Sequence, residues 1–174
     1  MNTLIVMMAP SSAGKSTLAK HIEETHDDCV IVSRDKIRLN LLSDDEDYFA
    51  HEKEVADTFY RRINDMLKIH EYVIADATHI SLKSRRELFK HVNTKNARVI
   101  GIWVDIPMAT AIKRNEGRTG RSCVPEDAIR TMFKTKVPPS KLEGFNEIIY
   151  VSNEYAIGDT APYLDGVFRK LENI

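Results

Sequence analysis

Residues 9–17 read Ala9-Pro10-Ser11-Ser12-Ala13-Gly14-Lys15-Ser16-Thr17, and they separate an apolar run, Thr3–Met8, from a segment with helical periodicity, Lys15–Thr25. An apolar run of that length suits a buried strand. A tight turn at the start of a helix directs several backbone N–H groups at one spot, where the helix dipole also favours an anion. Since Gly14 has no Cβ, the backbone can approach a bound group closely. This stretch therefore predicts a strand, an anion-binding loop and a helix.

The order of residues in this loop nearly matches the Walker A pattern, with Ala9 where the first glycine is usual. In that pattern the Lys15 ammonium group contacts the β- and γ-phosphates of a nucleoside triphosphate, and the Ser16 hydroxyl is a ligand of Mg²⁺. A chance Gly-Lys-Ser sequence in a surface turn is the alternative, but the flanking strand and helix favour the nucleotide site. We expect ATP, or another nucleoside triphosphate, to bind with Mg²⁺ at Ser12, Ala13, Gly14, Lys15, Ser16 and Thr17.

The remainder of the chain alternates apolar runs with stretches of helical periodicity. Strands are expected at Thr3–Met8, Cys29–Ser33, Tyr72–Ala75, Arg98–Val104 and Glu147–Val151. Helices are expected at Lys15–Thr25, Asp35–Leu42, Asp45–Ile69, Leu82–Asn93, Met108–Glu116, Glu126–Lys134 and Ala161–Leu171. This alternation predicts an α/β fold of the P-loop NTPase kind, with a mostly parallel five-stranded sheet and helices on both faces. No repeat or linker interrupts the sequence, so we expect a single domain over residues 1–174.

Two charged residues follow the second expected strand, at the edge where ligands of parallel sheets bind. Asp35 and Arg38 are three residues apart, so on a helix they share one face. The Asp35 carboxylate could accept a proton from an acceptor hydroxyl, and the Arg38 guanidinium could hold a phosphate of the same acceptor. The alternative is that Asp35, in a first helical turn, only complements the helix dipole.

The third expected strand leads into Asp76 and His79. An apolar strand that ends in aspartate beside a P-loop resembles a Walker B position, which acts through Mg²⁺ or bound water. Asp76 could instead only hold the loop that follows it. His79 is a candidate contact for the acceptor, although a single histidine in a loop is more often structural.

The segment between the expected helices Met108–Glu116 and Glu126–Lys134 has the composition of a basic lid. Gly117 and Gly120 can absorb a hinge motion, and Arg118 and Arg121 carry charge that would stabilise a transferring phosphoryl group. A solvated basic loop has the same composition, so both interpretations stay open.

Overall composition excludes several classes of function. The formal net charge is −1, so no global positive field holds long nucleic acid, although a local basic cluster can still bind an end. Cys29 and Cys123 have no metal-binding spacing, which is typical of reduced thiols in the cytoplasm. The apolar run Leu4–Ala9 is too short to span a membrane and lacks the features of a signal peptide. We therefore expect a cytoplasmic protein without a membrane partner.

Two further charged segments have simple interpretations. Ser43–Asp47 resembles an acidic metal cluster, but we expect it to cap the long helix that follows. A basic group on one expected helix could contact a phosphodiester backbone or form a solvated face, and it consists of Lys83, Arg85, Arg86 and Lys90.

With these residues in place, the chain resembles the polynucleotide 5′-hydroxyl kinases of the bacteriophage type and the kinase modules of bacterial RNA end-repair proteins. Both belong to the wider adenylate-kinase-like P-loop kinases. The resemblance extends from Thr3 to about Val151 and rests on Ala9–Thr17, Ser33-Arg34-Asp35 with Arg38, Ile74–Thr78, Arg114-Asn115 with Arg118, and Val124-Pro125 with Ile129 and Met132. Pro139 with Glu143-Gly144-Phe145 resembles bacterial members of the wider group.

The resemblance implies a role for each matching residue. Lys15 and Ser16 would bind the donor phosphates and Mg²⁺, while Asp35 would be the general base on the 5′-hydroxyl and Arg38 would contact the 3′-phosphate of the acceptor. Asp76 would order the acceptor site.

The resemblance also implies an adenylate-kinase-like lid, in which Arg118 would contact the donor phosphates. Three departures from the family pattern are Ala9 for glycine, His79 where asparagine is common, and a lid one residue longer. The longer lid leaves Arg118 and Arg121 in competition for the same role. No Asp-x-Asp phosphatase motif follows, so removal of 3′-phosphates is not expected.

Three functions are consistent with these features. The first is an ATP-dependent kinase of the 5′-hydroxyl end of DNA or RNA, single-stranded or with an exposed end. The second is a kinase for a small hydroxyl compound, such as a nucleoside, sugar, antibiotic or nucleotide-sugar. The third is a nucleotide-binding switch without turnover. Arg38 favours an acceptor that carries a phosphate, and Asp35 argues against a switch, because a switch needs no base for an external hydroxyl.

Overall fold

The structure is a computed structural model that describes residues 2–152 of the chain. Its strands are β1 (Asn2–Met8), β2 (Cys29–Ser33), β3 (Tyr72–Asp76), β4 (Ala97–Asp105) and β5 (Glu147–Ser152). Its α-helices are α1 (Lys15–Thr25), α2 (Arg34–Leu41), α3 (Glu52–Met66), α4 (Leu82–His91), α5 (Met108–Glu116) and α6 (Glu126–Thr135). The helix expected at Ala161–Leu171 lies outside the described residues.

The five strands form one parallel sheet in the order β2-β3-β1-β4-β5, which confirms the predicted sheet. The central position of β1 brings the loop that follows it to the middle of the carboxyl edge. Met7 of β1 and Ser33 of β2 are both in register with Asp76 of β3. The register therefore gathers the P-loop, the end of β3 and the start of α2 at one place.

Both faces of the sheet are covered by helices, as the sequence predicted. In β1, Leu4 and Val6 belong to the cluster on one face, while Ile5 and Met7 belong to the cluster on the other. Helices α2, α3 and α4 contribute to the first cluster, whereas α1, α5 and α6 contribute to the second. Strands buried on both faces are nearly continuous apolar runs, which explains why β1 shows no alternating pattern from Leu4 to Met8.

The long helix α3 begins at Glu52, so the predicted start at Asp45 is wrong. Residues 43–51, here called the 43–51 loop, form turns instead. The Glu46 carboxylate accepts the Ser43 N–H at 2.8 Å, and the Asp47 carboxylate accepts the Phe49 N–H at 2.9 Å. Such side-chain bonds to nearby backbone compete with helix formation. The expectation that Ser43–Asp47 caps the helix is wrong for the same reason.

Arg85 on α4 is fully buried and belongs to no exposed basic face, which corrects the sequence interpretation. Its Nε and Nη2 donate to the Glu143 carboxylate at 2.6 and 3.0 Å. Its Nη1 donates to the carbonyls of His79 and Val137 at 3.1 and 2.9 Å. The exposed residues of that group are Lys83, Arg86 and Lys90. Arg85 therefore ties α4 to the segment that follows α6.

Gly144 explains the Glu143-Gly144-Phe145 pattern. Its φ of +118° lies in the region that favours glycine, and a Cβ there would meet a ring carbon of Phe89 at 3.1 Å. The backbone turn lets Phe145 enter the core, where its ring meets that of Phe89 edge-on.

Among residues 2–152, every helix is too short or too polar to cross a lipid bilayer.

Candidate active site

The P-loop joins β1 to α1 in a conformation that presents backbone N–H groups. Gly14 is the N-cap of α1 with a left-handed φ of +89°, and Ser12 has a φ of +64°. No side chain caps α1, and its first turn contains no acidic residue. The N–H groups at the start of this helix therefore remain available for an anion. Thr17 lies exposed on the same turn, while Ala13 is buried beneath the loop.

Lys15, Ser16 and Asp76 meet at the carboxyl edge of the sheet. The Lys15 ammonium group forms an ion pair with Asp76, and the Ser16 hydroxyl donates to the second oxygen of the same carboxylate at 3.1 Å. A hydroxyl oxygen and a carboxylate oxygen so close together are the ligands that Mg²⁺ prefers. The residues present therefore fit a magnesium site, in which Ser16 would ligate the ion and Asp76 would act on the ion or its water.

Asp35 and Arg38 are in contact on α2, as their spacing predicted. Helix α2 begins at Arg34 because the Ser33 hydroxyl accepts the Lys36 N–H at 3.4 Å. Nη1 of Arg38 donates to Asp35 Oδ1 at 2.7 Å. The Arg38 side chain is 7% exposed and the Asp35 side chain is 69% exposed. The Asp35 carboxylate is thus open to a ligand, while the Arg38 guanidinium is buried.

Glu52 holds that guanidinium, and sequence reasoning missed it. Nη2 of Arg38 donates to Glu52 Oε2 at 2.7 Å, and Arg34 pairs with Oε1 of the same carboxylate. Burial opposes the charged form of Arg38, but the Glu52 bonds and charge raise its pKa above the usual value. No sequence pattern pointed to Glu52, because it was expected inside a helix that began at Asp45.

Two aromatic residues of the 43–51 loop also contact Arg38 and were not predicted. The Arg38 Cζ lies 4.7 Å from the centroid of the Tyr48 ring and 5.6 Å from that of Phe49. The Tyr48 hydroxyl donates to Asp35 Oδ1 at 3.3 Å and accepts from Arg38 Nη1 at 3.3 Å. Burial, followed by the negative charge of Asp35, raises the pKa of Tyr48. The phenol therefore stays protonated and able to donate.

Asn115 closes the base of the predicted lid. Its side chain accepts the Val124 N–H at 3.0 Å and donates to the Val124 carbonyl at 2.7 Å. Because Asn115 is buried, this two-way bond fixes both ends of the segment that contains Gly117 and Gly120. Arg114 lies one residue before it, and its Nη1 reaches the Ala13 carbonyl of the P-loop at 3.5 Å. The lid is thus rooted beside the phosphate loop.

The two competing lid arginines have different contacts. Nη2 of Arg121 donates to the carbonyls of Ser43 and Asp44 at 2.8 and 2.7 Å, which joins the lid to the 43–51 loop. Arg118 is exposed, and its Nη1 reaches only as far as the Ser122 carbonyl at 3.5 Å within the lid. Arg121 is therefore engaged on the Asp35 side of the site, whereas Arg118 remains at the solvent face of the lid.

His79 is not displayed at the surface of the site. It is 3% exposed, has a φ of +43°, and its Nδ1 lies 3.1 Å from the Met7 carbonyl. Burial first, with the charges of Lys15 and Arg34 adding to it, lowers the pKa of His79 to about 4. The ring is neutral at physiological pH and braces β1 against the loop after β3, which supports the structural interpretation.

Known structures with similar folds include kinases for different acceptors. A chain of the Pnkp1/Rnl/Hen1 RNA repair complex is 27% identical with a TM-score of 0.68, over 77% of this chain and 43% of that one. A gluconokinase from Sinorhizobium meliloti 1021 is 19% identical with a TM-score of 0.63, over 98% and 94%. A fungal RNA kinase is 14% identical with a TM-score of 0.65, over 98% and 85%. The last two likenesses show the fold alone.

No curated protein sequence matches the chain. The chain spans less than half of the RNA repair chain, so that protein's other regions have no counterpart in this comparison. The profile of the AAA_33 family, described as an AAA domain, matches residues 4–139, which contain the P-loop, Asp35, Asp76 and the lid. With that match over most of its length, and with a five-stranded parallel sheet behind its P-loop, the chain belongs to the AAA_33 family and is a P-loop kinase domain.

Proposed function

We propose that this P-loop kinase transfers the γ-phosphate of ATP to the 5′-hydroxyl end of DNA or RNA, with Mg²⁺ as cofactor. The observation that carries the proposal is the contact between Asp35 and Arg38. An exposed carboxylate suits a general base, and a charged guanidinium 2.7 Å away suits a phosphate of the same acceptor. An end of a polynucleotide offers a hydroxyl and a phosphate on one nucleotide. A neutral sugar offers no group for the arginine.

Residues of this chain supply binding and positioning for the transfer. Lys15 and the N–H groups at the start of α1 hold the donor phosphates, and Asp35 takes the proton as the 5′-oxygen attacks the γ-phosphorus. The new oxygen–phosphorus bond forms as the bond to the β–γ bridging oxygen breaks, and ADP leaves. Arg118 stabilises the negative charge of the moving phosphoryl group. When bound by Ser16 and Asp76, Mg²⁺ supplies further charge neutralisation on the phosphates.

One comparison is in line with a polynucleotide acceptor. The 27% identical chain comes from an RNA repair complex. Both cysteines of the chain, Cys29 and Cys123, are free thiols, which suits the cytoplasm as the proposed location.

A panel of acceptors with γ-labelled ATP and Mg²⁺ tests the proposal. It contains 5′-hydroxyl DNA and RNA oligonucleotides, nucleoside 3′-monophosphates, nucleosides, gluconate, other sugars and hydroxylated antibiotics. We expect label on the oligonucleotides and on nucleoside 3′-monophosphates, with far less on nucleosides, because nucleosides lack a phosphate for Arg38. The same oligonucleotides with a 5′-phosphate are the matched control and take no label.

Other outcomes contradict the proposal in distinct ways. Label on a sugar or antibiotic, with none on oligonucleotides, identifies a small-molecule kinase. Tight ATP binding without transfer to any acceptor identifies a nucleotide-dependent switch.

A further inference from the structure

Phe49 is exposed beside the Asp35–Arg38 pair although it is a large apolar side chain. It is 63% exposed and is the one phenylalanine among the exposed large hydrophobic residues of the described chain. A phenylalanine that packs in no core gains nothing from burial where it lies. Its place over Arg38 and beside Tyr48 puts an exposed aromatic surface next to the candidate acceptor site.

The orientation of the Phe49 ring is fixed by its neighbours. It meets the Tyr48 ring edge-on, with centroids 5.0 Å apart and planes at 88°. The Asp47 carboxylate accepts the Phe49 N–H at 2.9 Å, and the Phe49 carbonyl accepts the Glu52 N–H at 3.2 Å. The backbone on both sides of the ring is thus bonded, so the exposed aromatic surface is held ready for a ligand.

The 43–51 loop is also held in place as a whole. Arg121 donates to its first two carbonyls, Ser43 and Asp44, at 2.8 and 2.7 Å. At its other end, His51 Nε2 lies 3.0 Å from Glu46 Oε1. These bonds fix the loop against the lid and against itself, so Phe49 keeps its place next to the acceptor pair.

We propose that the Phe49 ring is a stacking platform for a nucleobase of the acceptor, next to the phosphate held by Arg38. This inference rests on the proposed function and names the part of the acceptor that the ring would take. The Arg38 Cζ lies over one face of the ring, 5.6 Å from its centroid, so a base would stack on the other face while the phosphate of the same ligand lies near the guanidinium. Every base has a π-face, so such a platform binds DNA and RNA ends without a strict sequence preference. Tyr48 meets the ring edge-on and keeps its hydroxyl on Asp35 and Arg38.

The test compares variants of the full chain with oligonucleotides that lack single bases. Phe49→Ala removes the platform, and Phe49→Trp keeps an aromatic surface. Ile69→Ala is the matched control, because Ile69 is 65% exposed but precedes β3 at the opposite edge of the sheet. The acceptors are a 5′-hydroxyl oligonucleotide and two copies that are abasic at the first or at the second nucleotide.

We expect Phe49→Ala to raise the KM for the intact oligonucleotide by about 5- to 150-fold, the range for loss of one base–aromatic stack, with the KM for ATP unchanged. Phe49→Trp and Ile69→Ala should keep the parent KM. For the parent enzyme, one of the two abasic oligonucleotides should have a KM as high as the KM of Phe49→Ala for the intact oligonucleotide. With that abasic oligonucleotide, Phe49→Ala should raise the KM no further.

Two results overturn the inference and separate it from the proposed function. If the parent labels oligonucleotides and Phe49→Ala leaves their KM unchanged, the stacking platform is wrong and the kinase assignment stands. If the parent labels no oligonucleotide, both are wrong.

Discussion

Lys15 and Asp76, 61 positions apart in the sequence, form an ion pair that joins the P-loop to the end of β3. Their side chains are 11% and 7% exposed, so water screens neither charge well. Ser16 donates to the same carboxylate at 3.1 Å. Without a nucleotide, Asp76 therefore provides the negative charge that Lys15 would otherwise find in a triphosphate.

Replacing Asp76 by alanine should destabilise the nucleotide-free protein. Lys15 then loses its partner in a shielded position, and we expect a loss of about 3 kcal/mol in the free energy of unfolding. MgATP should restore part of that loss, because the triphosphate supplies the missing charge. Urea titrations with and without MgATP measure both effects. Glu24→Ala is the control: its 3.5 Å pair with Lys20 is exposed and should contribute no more than about 0.5 kcal/mol. Equal losses in the two variants would contradict the expected role of the pair.

Asp35→Asn should lower turnover while leaving nucleotide affinity intact. The amide cannot take the acceptor proton, so we expect kcat to fall by a factor on the order of a hundred or more with an unchanged Kd for ATP. Asp127→Asn is a matched control, since Asp127 is also exposed in the first turn of a helix, α6. If Asp35→Asn leaves kcat as unchanged as Asp127→Asn does, Asp35 only complements the helix dipole.

The lid arginines should affect different kinetic parameters. Arg118→Ala should lower kcat by at least about a hundredfold with little change in the KM for the acceptor, because the arginine acts on the transferring group. Arg121→Ala should instead raise the KM for the acceptor by about 5- to 20-fold, since it breaks two bonds to the 43–51 loop. Steady-state kinetics with Arg130→Ala as control separate them. If Arg121→Ala lowered kcat and Arg118→Ala raised the KM for the acceptor, Arg121 would be the arginine that contacts the donor phosphates.

Glu143→Ala should be among the most destabilising changes in the chain. Arg85 is fully buried, and the substitution leaves its guanidinium without a countercharge, so we expect a loss of about 3–5 kcal/mol. Urea unfolding measures it. Arg86→Ala, at the next and exposed position of α4, should change stability by less than about 0.5 kcal/mol. A small effect of Glu143→Ala would mean that water reaches Arg85.

His79 should make stability depend on pH in the acid range. The folded pKa of about 4 lies below the ordinary 6.5, so between these values the unfolded chain binds a proton that the folded protein does not. Stability is therefore lost as the pH falls from about 6.5 towards 4, by about 2 kcal/mol between pH 7 and pH 5. His79→Asn, which tolerates the positive φ, should lose less over that interval. Identical pH profiles of the free energy of unfolding would contradict this.

Local chemistry made much of the site predictable. The P-loop is continuous in sequence, so its turn, helix start and lysine are visible without a fold. Asp35 and Arg38 needed only helical spacing, and their contact at 2.7 Å follows from it. The sheet was predictable because strands buried on both faces, such as β1, are nearly continuous apolar runs. The start of α3 was not, since side-chain bonds within the 43–51 loop outweighed its helical pattern.

The sequence by itself determined the fold class, the anion-binding loop and the pair on α2, because each depends on residues within a few positions of one another. Only the tertiary structure decided the rest. It paired Asp76 with Lys15 and Arg38 with Glu52, buried Arg85, directed Arg121 to the 43–51 loop and left Phe49 exposed. These contacts join distant segments through sheet register and loop packing, and both depend on the whole fold rather than on any local pattern.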